Sequence, residues 1–112
     1  MTQFNQLRPR ARTKEEMREL FLDYCRSIAH YWSKVEDRTP HEMCDGAVFS
    51  LLNAFDGMAG GFPCAIDLVM QPHNSDKQFC IEQGENWVEE GQVINNDVML
   101  HEMYYRQHEL GS

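Results

Sequence analysis

Histidine, cysteine and carboxylate are the residue types in this chain with the most chemistry to offer, and their spacing limits what they can do. The 112 residues include five histidines (His30, His41, His73, His101, His108), four cysteines (Cys25, Cys44, Cys64, Cys80) and 18 Asp plus Glu. His41 and Cys44 stand three apart and share a helix face. A structural zinc site needs two close ligand pairs, and no Cys-x-x-Cys or His-x-x-x-His supplies the second. The wide cysteine spacing points instead to reduced, mostly buried thiols. His101-Glu102 opens a string that closes on His108-Glu109. A zinc peptidase helix would put its second histidine four residues after the first, where Tyr105 stands. His101 and His108 are two helical turns apart, about 10.5 Å, too far for one tetrahedral ion. His101 is therefore read as a partly buried, hydrogen-bonded helix histidine.

Nucleophilic and phosphate chemistry find no better footing. Ser50 sits in Phe49-Ser50-Leu51 rather than a Gly-x-Ser-x-Gly elbow. Residues 57–61, Gly-Met-Ala-Gly-Gly, lack the P-loop lysine and follow a helical pattern. Asp45, Asp56 and Asp67 could meet near the end of the second helix and the strand, with Asp45 and Asp56, 11 residues apart, on a shared face, but roughly 16 Å of helix axis separates those two, which excludes joint work on one small substrate; Asp56 reads as a helix-end residue beside Gly57. No catalytic residue, metal ligand or cofactor is assigned. Two polar loops remain, residues 72–76 (Pro-His-Asn-Ser-Asp) and 84–87 (Gly-Glu-Asn-Trp), each bordering apolar segments. Loops of this kind carry recognition more often than cores do. The expected partner-binding patch is His73, Glu85, Asn86 and Trp87, with Trp87 as apolar anchor. In the competing structural reading Trp87 packs on the core and Ser75 and Asn86 close turns.

These residues must be held by elements that the pattern makes explicit. Thr13-Lys14-Glu15-Glu16 is a capping box, and Met17, Leu20, Phe21, Tyr24, Ile28, Tyr31, Trp32 and Val35 follow at helical spacing, predicting a helix over about 14–34. Thr39-Pro40-His41-Glu42 combines a second capping box with proline at the first helical position. It predicts a helix from Pro40 to a stop at Gly57, antiparallel to the first because about five residues connect them. Residues 64–70, Cys-Ala-Ile-Asp-Leu-Val-Met, read as a strand closed by Pro72. Ser75-Asp76-Lys77-Gln78 reads as a third capping box, so residues 76–83 read as a two-turn helix stopped by Gly84, with strand as the alternative. Trp87-Val88 and Val93-Ile94 flank a turn compatible with a hairpin. A last helix is expected over 97–109, capped by Asn96. The expected fold class is α+β: an antiparallel helix pair plus a C-terminal helix packed on a small β-sheet. Residues 1–12, carrying Arg8, Arg10 and Arg12, read as a flexible basic arm, and residues 13–112 as one compact domain.

Charge separates along the chain. Residues 1–34 carry seven basic and four acidic groups, net +3, and residues 35–112 three basic and 14 acidic, net −11. An acidic body repels nucleic-acid phosphates, so specific DNA binding is not expected, and it steers toward a basic protein surface. No window reaches the 18 apolar residues of a membrane span, and the first 16 residues hold no apolar signal region, so the chain reads as cytoplasmic.

Over most of its length the sequence resembles a family of short hypothetical proteins of bacterial and phage genomes. The matching stretches are Glu19-Leu20-Phe21 to Tyr31-Trp32, Cys44-Asp45-Gly46, Phe49-Ser50-Leu51-Leu52, Asp56-Gly57, Pro72-His73, Asp76-Lys77, Gly84-Glu85-Asn86-Trp87 and Leu100-His101-Glu102. The resemblance implies one compact domain and supplies no catalytic residue. Together these observations favour a non-enzymatic, acidic protein–protein interaction module, such as a phage-derived adaptor or inhibitor of a nucleic-acid-handling machine, with a homodimer compatible. The competing reading is a small metal-dependent hydrolase using His73, His101 and carboxylates.

Overall fold

The computed structural model describes residues 9–111, with side chains as far as residue 105. Residues 1–8 of the expected basic arm lie outside the described residues. Four helices follow one another: α1 (Lys14–Ser33), α2 (Pro40–Phe55), α3 (Asp76–Gln83) and α4 (Leu100–Gly111). Two of the three predicted capping boxes form. The Thr13 and Thr39 hydroxyls accept the amides of Glu16 and Glu42, and each glutamate accepts the cap residue's own amide in return. Arg10 reinforces the first box by pairing with Glu16 at 2.7 Å, and this holds the Glu16 carboxyl down at about 2. Gly57 takes φ +78 after α2, and Gly84 caps α3 at φ +73, conformations open to residues without a Cβ.

α1 packs on α2, and α2 on α4. The α1–α2 contact is set by aromatic rings meeting small residues. Phe21 stacks on Phe55 at 6.2 Å and meets Phe62 edge-on at 5.8 Å. The Trp32 ring lies over Gly46, and its indole N–H donates to the Ser50 hydroxyl at 2.9 Å. Phe62, in the loop after α2, folds back against Tyr24 and is buried. With Ile28 and Ala54 it makes up the buried hydrophobic residues among those described; no large side chain is fully enclosed. A 13.1 kDa chain could bury far more.

The expected sheet is absent among the described residues, so the α+β assignment is corrected to a helical fold. In place of a strand over 64–70 there is one antiparallel bridge, Val69 to Val93. Met70 N–H donates to Gln92 C=O, Gly91 N–H to Met70 C=O, and Ile94 N–H to Leu68 C=O. The pairing stops there because a side chain takes the next place: Asn95 Oδ1 accepts the Leu68 amide, while its Nδ2 donates to the carbonyls of Ile66 and Phe55. Asn95 thereby ties the loop to the end of α2, and a lone two-stranded contact with no third strand does not extend. Trp87-Val88 does not pair with Val93-Ile94, so the hairpin is also corrected; the turn at Gly91 (φ +86) serves pairing with residues 68–70 instead. Residues 76–83 are helix, although Ser75 makes no side-chain cap; Asp76 instead accepts the His73 amide at 2.9 Å. Among the described residues α3 packs against no other helix. The cysteines are free, and none is buried: Cys44 and Cys64 are exposed and Cys25 and Cys80 half-buried, correcting the expectation of buried thiols.

Gly46→Ala tests the Trp32 packing. A Cβ at Gly46 would lie inside the contact distance of the Trp32 ring. The expected loss is about 1–3 kcal/mol of unfolding free energy in urea titration, as for overpacked cores; an unchanged midpoint would show that the ring has room to move.

Candidate functional site

Two places gather polar side chains. The first is the seam between the end of α2 and the start of α4. Asp56, the C-cap of α2, has a side chain with no exposure. Its Oδ2 accepts the backbone amide of His101 at 2.8 Å and meets the His101 ring Nδ1 at 2.7 Å. Burial alone would raise the Asp56 carboxyl, but hydrogen bonds from the His101 amide and ring and from the Leu100 amide outweigh it, and the net shift is downward. Oδ1 makes no hydrogen bond among the described residues that meets strict geometry. Asp56 thus does from a distant element what an N-cap does locally. The expected cap, Asn96, does not serve; Asp97 adopts φ +66, a left-handed conformation, and the helix begins only at Leu100. One turn further along, the Tyr104 hydroxyl donates to Asp45 at 2.6 Å, and Asp45 also pairs with His41 at 3.1 Å. The bond to Asp45 raises the Tyr104 phenol above its ordinary value. Phe49 meets the His101 ring edge-on at 5.5 Å and the Tyr105 ring at 5.1 Å.

Beside this seam lies a cleft of about 550 Å³, whose lining includes the carboxylate residues Asp56, Asp67, Asp97 and Glu102 and the apolar residues Val98 and Met103. Sequence spacing separates Asp45 from Asp56, and the structure agrees: Asp45 belongs to the Tyr104 contact, while Asp56 and Asp67 share the cleft. Among the described residues, no group of three or more His, Cys, Asp or Glu converges on a common point where a metal could be held. His101 does not line the cleft; Asp56 holds its Nδ1 and its backbone amide, and the pair ties the start of α4 to the end of α2. This is the hydrogen-bonded helix histidine that the sequence suggests, but its partner, 45 residues away, carried no local signal.

The second place is the lobe built on α3, where the predicted patch falls. His73 precedes the helix; its ring Nδ1 lies 2.8 Å from the Ser75 hydroxyl, closing a turn. Glu85 N–H donates to Cys80 C=O just past α3. The Trp87 indole N–H donates to Glu89 at 2.9 Å, and the Lys77 ammonium sits 5.1 Å from the centre of its ring, joining the first turn of α3 to the 84–87 loop. His73, Glu85, Asn86 and Trp87 are all exposed. Trp87 is not core. Its neighbours Phe79, Ile81 and Val88 are 60 %, 46 % and 52 % exposed.

Comparison with protein-family models, with curated protein sequences and with solved structures yields no match.

The seam predicts an acid-sensitive anchor. Because the folded Asp56 carboxyl is shifted down, its contribution is present above the unfolded carboxylate value, near 4, and is lost as pH falls through the lower folded value. Asp56→Asn should cost about 1.5–3 kcal/mol at neutral pH, as for a lost hydrogen bond to a charged group. It should also flatten the stability profile below pH 4, read by urea unfolding across pH. A variant as acid-labile as wild type would place the sensitive group elsewhere.

Proposed function

We propose that this chain is a non-enzymatic interaction module that docks a basic protein surface through its α3 lobe. The observation that carries this reading is the exposure of Phe79, Ile81, Trp87 and Val88 on a segment that no other helix covers. Exposed apolar side chains among acidic groups are available to a partner. Residues 73–92 add Asp76, Glu82, Glu85, Glu89 and Glu90 against one Lys77, a net −4 around those apolar side chains. An apolar centre supplies affinity and a carboxylate rim selects cationic partners and speeds encounter. The same rim disfavours nucleic-acid phosphates. No helix among the described residues is long and apolar enough to cross a membrane. An adaptor or inhibitor acting on the basic surface of a nucleic-acid-handling machine is the sharpest form of this reading. The hydrolase alternative is less favoured, since His73 closes a turn and, among the described residues, no three or more His, Cys, Asp or Glu gather where a metal could be held.

A synthetic amphipathic helix of leucine and lysine is the direct probe, with its leucine–glutamate counterpart as control. Titration calorimetry should show binding of the lysine peptide only, weakening as salt rises. Trp87→Ala should weaken it at least tenfold and Asn86→Ala severalfold, with melting temperatures near wild type. Parallel losses of stability and binding would mean that these residues only hold the fold.

A further inference from the structure

One lysine stands among the five carboxylates of residues 73–92, and it is paired with none of them. Among the described residues the Lys77 ammonium forms no ion pair; it sits over the Trp87 ring, 5.1 Å from the centre. Gly84 at φ +73 and the bond from the Glu85 amide to the Cys80 carbonyl turn the chain out of α3, and Trp87 comes back to the first turn of that helix. The indole N–H donates to Glu89 at 2.9 Å, which fixes the ring by its edge and holds a carboxylate beside it. An aromatic face attracts a cation through its quadrupole, and a neighbouring carboxylate adds to the pull. Lys77 gains nothing from α3 for being there, because an ammonium in the first turn of a helix meets the positive end of the dipole. Lys77 and Trp87 are both exposed, so the contact is open to exchange.

We propose that the face of Trp87 under Lys77 is the seat for one ammonium or guanidinium side chain of the docking partner, and that Lys77 is its built-in competitor. This rests on the reading of the lobe as a docking surface and adds which group the partner's cation displaces. Phe79, Ile81 and Val88 offer contact to any apolar partner, whereas a ring face that already carries a cation gives a directional contact to a second one. An exposed contact of this kind is weak, so a partner's lysine or arginine replaces Lys77 readily and the released ammonium returns to solvent. The exchange leaves the number of cations on the ring unchanged, and Lys77 therefore sets a threshold. A free ammonium ion in solution gains nothing over a lysine already tethered beside the ring. A partner that also brings apolar side chains to Phe79, Ile81 and Val88 wins the exchange, so the seat selects for surfaces that are cationic and apolar together.

Calorimetry and NMR of the full chain with the leucine–lysine peptide decide the point. Lys77→Gln removes the competitor and should bind the peptide about two- to fivefold tighter than wild type, the equivalent of an exposed cation–π contact. Lys77→Arg keeps a cation on the ring and should bind no tighter; both variants should keep the helical circular dichroism of wild type. Neutralising Lys77 also takes residues 73–92 from net −4 to −5, so the gain is measured again in a Trp87→Leu background. A field effect alone survives there and fades with salt, whereas a gain that vanishes with the ring belongs to the seat. The chain has three lysines, Lys14, Lys34 and Lys77, and ¹³C labelling of their ε-methylenes follows each. Lys77, identified by its loss in Lys77→Gln, should resonate upfield of solvated lysine and move to the solvated position when unlabelled peptide binds. A Lys77→Gln variant that binds like wild type or more weakly, an equal gain without Trp87, or a Lys77 signal that stays upfield in the saturated complex overturns the proposal. Any of these with a peptide that still binds wild type through Trp87 overturns this inference alone; a peptide that binds neither wild type nor Lys77→Gln removes the docking role of the lobe as well.

Discussion

One buried carboxylate joins the two ends of this structure. Asp56 closes α2 and, through the amide and ring of His101, opens α4. An unpaired helix start leaves orphan amides, and here a residue 45 positions earlier satisfies one of them, so the start of α4 is secured where the end of α2 holds it. Asn95 performs the matching task for the intervening loop, pinning residues 66–68 to the Phe55 carbonyl beside Asp56. The end of α2 is therefore the junction at which loop and last helix meet, and the Asp45–Tyr104 bond extends the same seam by another turn. A carboxylate held this way is favoured only while ionised, which couples the attachment of α4 to pH.

Away from that junction, little apolar surface is withdrawn from water. The buried hydrophobic residues described, Ile28, Ala54 and Phe62, all lie in or beside the α1–α2 pair, whereas the lobe around α3 keeps Phe79, Ile81, Trp87 and Val88 in solvent. Burial of apolar area is the dominant favourable term in folding, so surfaces left uncovered at this level are places where association can supply what the chain by itself does not.

Local patterns determined the helices. Thr13 to Glu16 and Thr39 to Glu42 set two starts because a capping box is completed within four residues. Gly57 and Gly84 set two stops because a positive φ is cheap only without a Cβ. The short helix between Pro72 and Gly84 was legible in outline, but the link from its first turn to the following loop, Lys77 over the Trp87 ring, carried no sequence signal. What tertiary structure decided concerns groups whose partners lie far off in sequence. Residues 64–70 have the composition of a strand, but a strand needs a neighbour along its length, and the Asn95 side chain occupies the position where the ladder would continue. Asn96 and Asp97 have the types of a helix cap, yet Asp97 turns left-handed and the cap comes from Asp56. The exposure of Phe79 and Trp87 was undecidable from pattern, because an apolar stripe states that a face avoids water without stating whether the same chain or another one covers it.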